Sequence, residues 1–189
     1  SGKLPVDLKV IEERTVGPDL GADSIRAGIL ASAIAAVAVI VFMAVTYGRF
    51  GMYANLAVVI NVLVILAVMA MIKATLTLPG IAGFILTIGT AVDANVLINE
   101  RIREERRRGR SVVQSVELGY KEASRTIFEA NVTHAISGII MLVLGSGPVK
   151  GFAVVLLIGI VTSVFTAVTF TRMLVALWLR REKPKTINI

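Results

Sequence analysis

The residue whose type and position offer the clearest chemistry is Asp93, a carboxylic acid inside a long apolar stretch. It lies in residues 81–99 (IAGFILTIGTAVDANVLIN), and the only other charged residue between Arg49 and Glu100 is Lys73. A carboxylate at the depth of a bilayer costs about 2.5–3.5 kcal/mol on insertion scales, so such a residue predicts an ion or proton site. The alternative is a carboxyl group that stays protonated and donates a hydrogen bond between helices.

Four polar residues accompany Asp93 as candidates for a proton path or for polar packing: Thr90, Asn95, Asn131 and His134. Thr90 precedes Asp93 by about one helical turn on the same face, and Asn95 is close in sequence. His134 is the only histidine and shares a predicted helix face with Asn131. Because imidazole titrates near physiological pH, a relay with Asp93 is one interpretation, and a packed histidine hydrogen-bonded across helices is the other.

Other kinds of chemistry lack their sequence signatures. The chain has no GxxxxGK[ST], HExxH or GxSxG motif, and it has no cysteine. An intramembrane aspartyl protease needs two carboxylates at depth, and one histidine with one aspartate makes only half of a metal ligand set. We therefore predict a protein that is not an enzyme, uses no cofactor or metal, and moves something.

The composition indicates a polytopic membrane protein, because 56% of the 189 residues are hydrophobic and the mean hydropathy is +0.80. The apolar residues form blocks of about 20, the length that spans a bilayer core. Short connections make neighbouring helices antiparallel. We predict an all-α bundle with five spanning helices, at about residues 25–47, 54–72, 80–99, 126–144 and 152–179.

The polar segments suggest how the chain is divided. We expect residues 1–22, with a short strand near 6–10, to be the remnant of an extracytoplasmic domain and linker, so that the chain is part of a longer protein. Residues 23–180 form the predicted transmembrane domain, and 181–189 form a tail.

The charged loop at residues 100–125 is predicted to be amphipathic and helical. Gly109 breaks it into two short helices, and Ser111 with Gln114 forms a capping-box pattern that restarts the second. Four apolar residues share one face of that second helix at helical spacing: Val112, Val116, Tyr120 and Ala123.

Basic residues predict the orientation. Most of the 20 lysines and arginines lie in the 100–125 loop and near the C-terminus, on one side of the predicted helices. The positive-inside rule places that side in the cytoplasm and the N-terminal stretch outside. This distribution also explains the net charge of +7 without a nucleic-acid partner.

Several stretches resemble a known family. Residues 89–105 (GTAVDANVLINERIREE), 13–25 (ERTVGPDLGADSI), 147–154 (GPVKGFAV) and 159–172 are similar to the SecD/SecF family of protein-export membrane subunits, which have a fold of the resistance-nodulation-division type. The Ala-Val-Asp-Ala-Asn form at 91–95 is typical of its SecD branch. Asn99, His134 and Thr90 depart from the family pattern.

The resemblance implies fold, partners and mechanism. The chain would supply helices two to six of a six-helix half-bundle, paired pseudo-symmetrically with a SecF half in the bacterial inner membrane. The family aspartate that matches Asp93 is associated with use of the proton motive force. The implied partners are SecF, the SecYEG channel, YajC and the exported preprotein.

Two alternatives stay open. The chain could be half of a proton-coupled exporter of small molecules or lipids with the same fold, or a scaffold for the export complex in which Asp93 does not titrate. On its own, the chain would expose a face meant for its partner, and we therefore expect homo-oligomers of the isolated chain.

Overall fold

The structure is a computed structural model that describes residues 18–74, 77–187 and 189. The described part of the chain is helical and has no strand, and four of its helices are long and apolar enough to span a membrane. The strand predicted near 6–10 lies outside the described residues. The all-α prediction is confirmed, whereas the structure has four such helices where the sequence predicted five spans.

The difference in helix number comes from the first helix, α1, which runs over Pro18–Met71 and contains both of the first two predicted spans. Gly48 interrupts it with φ 53° and ψ −122°, a conformation that glycine adopts without the steric cost of a Cβ. The two arms fold back on each other. The Asn55 side-chain amide donates to the Ile40 carbonyl at 2.9 Å, and a Cβ on Gly51 would lie 1.9 Å from the Met43 carbonyl oxygen.

The second and third helices, α2 (Leu78–Arg107) and α3 (Val112–Leu144), continue well beyond their apolar parts. The two short helices predicted for the 100–125 loop are therefore not separate elements, since they extend α2 and α3. Gly109, with φ 84°, lies in the turn between them. The predicted capping box at Ser111 and Gln114 is confirmed.

The last predicted span corresponds to three consecutive helical segments: α4 (Pro148–Val164), a π-helical segment (Phe165–Phe170) and α5 (Thr171–Glu182). Hydroxyl groups before and within the π segment bond to their own backbone. Thr166 donates to the carbonyls of Thr162 and Ser163, at 3.0 and 3.2 Å. Such bonds compete with the regular helical ladder, which is consistent with the wider turn there.

The largest apolar core lies at one end of the bundle, where the Gly48 turn, the charged ends of α2 and α3, and α5 meet. The face predicted for the start of α3 is confirmed, because Val112, Val116, Tyr120 and Ala123 are all buried. Tyr120 also donates a hydrogen bond of 2.9 Å to Thr171 of α5. Packing in this core holds α2 against α3, and it thereby sets the distance between the candidate site residues on these two helices.

Candidate functional site in a cleft between α2 and α3

A cleft of about 130 Å³ between α2 and α3 brings together most of the predicted site residues. Thr90 and Asp93 line it from α2, and Asn131 and His134 line it from α3. The remaining lining is Ala94, Leu97, Thr126, Ile127 and Ala130. A carboxyl group and an imidazole thus share one space that is large enough for a few water molecules.

Asp93 is exposed on the surface of this chain, although it lies deep in an apolar helix. It comes 15 residues after the start of α2 at Leu78, which is roughly 22 Å along a helix with 1.5 Å rise per residue. A carboxyl at that depth facing lipid is costly.

Some of the exposed residues near Asp93 are small, although Leu86 on the same face of α2 is large and exposed. On α2, a Cβ added to Gly89 would have nothing within 4 Å. On α3, beside His134, the exposed residues Ala130, Thr133 and Ser137 continue the same surface. Small and hydroxyl residues are the kind that let another helix approach closely within a membrane.

Thr90 and Asn95 differ in how they relate to the cleft. The Thr90 hydroxyl donates to the Thr87 carbonyl at 2.9 Å, so its oxygen can still accept a hydrogen bond from the cleft. Asn95 does not line the cleft. Its side chain is buried and its amide donates to the Ala91 carbonyl at 2.9 Å. Asn95 follows Asp93 by two residues, about 200° around the helix, so the two point to different sides.

Asn131 has an amide whose orientation is fixed. Its Nδ2 donates to the Ile127 carbonyl at 2.8 Å, one turn back on α3. Its Oδ1 is buried, and none of the described residues donates to it. Asn131, which lines the cleft, therefore has a buried carbonyl-type acceptor without a donor, a condition that is costly in an apolar setting. His134, one turn further on, is exposed rather than packed between helices.

Polar contacts at the charged end of the bundle were not predicted from the sequence. The Tyr47 hydroxyl donates to Glu100 at 2.9 Å, and Arg103 pairs with the same carboxylate at 2.6 Å. Arg49 pairs with Glu182 at 2.9 Å and lies over the ring of Trp178. These contacts tie the Gly48 turn to α2 and α5, and only the three-dimensional fold brings such distant residues together.

Asn61 is a further buried polar residue, and it was not among the predicted site residues. It lies in the second arm of α1, is 0% exposed, and neither amide atom has a partner among the described residues. An asparagine in the middle of an apolar span was itself the available signal, because polar groups inside membranes are costly.

Comparison with known proteins identifies the group to which this helical architecture belongs. The family model described as "Protein export membrane protein SecD/SecF, C-terminal" matches residues 2–181. The chain belongs to the SecD/SecF family. The family resemblance seen in the sequence is thus confirmed over almost the whole chain.

Curated relatives within the SecD/SecF family are closely similar. The chain is 52% identical over 189 residues to "Protein translocase subunit SecD" of Rhodobacter capsulatus, covering all of this chain and 34% of the relative. It is 48% identical to the protein of the same name from Acetobacter pasteurianus, covering all of this chain and 36% of that one. The chain therefore spans about a third of the length of these relatives.

Solved structures of the family share the fold. One is the crystal structure of SecDF, a translocon-associated membrane protein, from Thermus thermophilus. It aligns with a TM-score of 0.85 and 40% identity over 91% of this chain and 24% of its own. A structure of SecDF in a super-membrane-facing form aligns with a TM-score of 0.83 and 42% identity, over 96% of this chain and 25% of its own.

Proposed function

We propose that the chain is the membrane domain of a SecD-type subunit that assists Sec-dependent protein export, and that Asp93 couples this work to the proton motive force. The observation that carries the proposal is the cleft, which a carboxyl deep in an apolar helix lines together with an imidazole and an asparagine whose buried amide oxygen has no donor among the described residues. The charged and neutral forms of a carboxyl favour different surroundings. A change in protonation would therefore shift the packing of α2 against α3.

The same cleft favours a partner half-bundle over lipid. The exposed face near the cleft includes Asp93 and the small residues Gly89, Ala130 and Ser137. The opposite side of α3 carries large exposed apolar residues such as Ile139 and Val143, which suit lipid. A SecF-type half would close the cleft and complete a bundle of the resistance-nodulation-division type, with the SecYEG channel, YajC and the preprotein as further partners.

We also infer five membrane crossings. The second arm of α1, residues 49–71, would be about 35 Å long at 1.5 Å per residue, which is enough to span a bilayer core. The Gly48 turn lies at the same end of the bundle as Arg103 and Glu182, which contact that turn. With the positive-inside rule, this end faces the cytoplasm and Lys73 lies near the outer surface.

The test is gradient-driven export by the intact subunit and its partners in inverted membrane vesicles. Asp93→Asn removes the exchangeable proton while keeping nearly the same shape. We expect it to abolish the part of preprotein translocation that depends on an imposed proton gradient, while translocation without a gradient is unchanged.

Glu129→Gln is the matched control. Glu129 is a carboxylate on α3 that is exposed, pairs with Arg125 at 3.0 Å and does not line the cleft. Its neutralisation should leave gradient-driven translocation intact. Normal gradient dependence in the Asp93→Asn protein would refute proton coupling and favour the scaffold alternative. Proton release triggered by a small molecule in the absence of the channel would favour the exporter alternative.

A further inference from the structure

We propose that Asn131 is the positioning residue of the Asp93 site, and that its Oδ1 accepts a hydrogen bond from the protonated Asp93 carboxyl, directly or through one water. This bond would link α2 to α3 only when the proton is present. The inference rests on the proposed function in treating Asp93 as a group that gains and loses a proton.

The Asn131 amide has a fixed orientation. A side-chain amide has two donor hydrogens on nitrogen and an acceptor oxygen. Here Nδ2 is engaged by the Ile127 carbonyl at 2.8 Å, and Oδ1 lies buried without a donor. Rotation of the amide by 180° would replace that bond with two carbonyl oxygens facing each other. Asn131 therefore has an unpaired acceptor beside the cleft, and a small rotation of its side chain would have to turn this oxygen towards Asp93 for the bond to form.

An acceptor in this position distinguishes the two states of Asp93. A protonated carboxyl has one O–H donor, whereas an ionised carboxylate only accepts hydrogen bonds. Asn131 and Asp93 line the same cleft from different helices. The neutral carboxyl can satisfy the buried Oδ1, and the carboxylate leaves it unpaired and repels it.

The remaining cleft polar groups are less suited to that role. The Thr90 hydroxyl already donates its single hydrogen to the Thr87 carbonyl. His134 is the other group that could donate. Charged groups nearby on the two helices are engaged elsewhere, since Glu100 binds Arg103 and Glu129 binds Arg125. α4 and the π segment have no titratable side chain between Lys150 and Arg172.

Infrared difference spectroscopy of the intact protein with its partners in lipid vesicles tests the bond. The C=O stretch of the protonated Asp93 carboxyl is assigned by its loss in Asp93→Asn. We expect Asn131→Leu to move this band to higher wavenumber, because the carboxyl loses a hydrogen-bond acceptor. Asn95→Leu is the matched control, since Asn95 makes the same type of bond, to Ala91 at 2.9 Å, but does not line the cleft.

A second measurement does not depend on the Asn131 variant folding. In protein labelled with ¹³C at the asparagine side-chain carbonyl, protonation of Asp93 should shift one amide band to lower wavenumber, and the shift should vanish in Asp93→Asn. An Asp93 band unmoved by Asn131→Leu, or an asparagine band that responds to His134→Gln and not to Asp93→Asn, overturns the inference. A different result would contradict the proposed function, namely that the Asp93→Asn protein keeps gradient-driven translocation.

Discussion

The polar neighbours of Asp93 in the cleft come from α3 as well as from its own helix, α2. From its own helix only Thr90 joins it at the cleft as a polar neighbour, while Asn131 and His134 come from α3. The sequence predicted these polar residues as candidates, because polar side chains are rare in an apolar span. Periodicity could relate residues within one helix, and it could not reveal that the Asn131 oxygen would be left without a donor.

His134 allows a prediction at this scale, because it is exposed and has no hydrogen bond among the described residues. His134→Thr should change the free energy of unfolding by less than about 0.5 kcal/mol, as is usual for surface substitutions. Tyr120→Phe is the positive control and should cost about 0.5–1.5 kcal/mol, because it removes a buried bond to Thr171. Both are measured by denaturant unfolding in detergent.

A loss above about 1 kcal/mol for His134→Thr would mean that the imidazole is packed between helices. That outcome would favour a packed, structural role for His134 over a role in the proton path.

At the scale of helices, the feature that separates the structure most from the sequence prediction is the close approach of the two arms of α1. The chain turns at Gly48, and the backbone of Gly51 lies against that of Met43. The apolar blocks in the sequence fall within the four long apolar helices of the described residues. The sequence also predicted helix for the charged residues 100–125, but as separate short helices. In the structure they extend α2 and α3, and the ion pairs Arg101–Glu104 and Arg103–Glu100 support the extension of α2.

Gly51→Ala tests this hairpin. A Cβ there would lie 1.9 Å from the Met43 carbonyl oxygen, so the arms would have to separate. We expect a loss of about 1–3 kcal/mol in the free energy of unfolding, the usual cost of overpacking. Gly28→Ala in the same helix is the control, because its Cβ would make an ordinary contact of 3.8 Å with Ile81. Equal stability of the two variants would contradict the close approach.

At the scale of the whole molecule, the chain has two kinds of exposed membrane surface. The surface around the cleft includes the small or hydroxyl residues Gly89, Thr133 and Ser137, whereas the far side of α3 carries Ile139 and Val143. We interpret the first as a protein interface and the second as a lipid face. The sequence alone located the apolar residues, and only the packing of α2 against α3 shows which of them lie beside Asp93.

Photo-crosslinking distinguishes the two surfaces. A photoreactive amino acid at Ser137, in the intact protein within its native membrane, should crosslink to a second polypeptide, because this residue lies on the small-residue face. The same amino acid at Ile139, which is exposed on the other side of α3, should crosslink to lipid. Protein adducts from Ile139 and none from Ser137 would place the partner on the opposite side of the helix.

The most direct test of proton coupling is the protonation state of Asp93 itself, followed by infrared spectroscopy in the intact protein in lipid while the pH is stepped across the membrane. We expect a carboxyl band, absent in Asp93→Asn, that appears and disappears over the pH range in which translocation responds to the gradient. A carboxyl that stays protonated, or stays ionised, throughout that range would contradict this expectation.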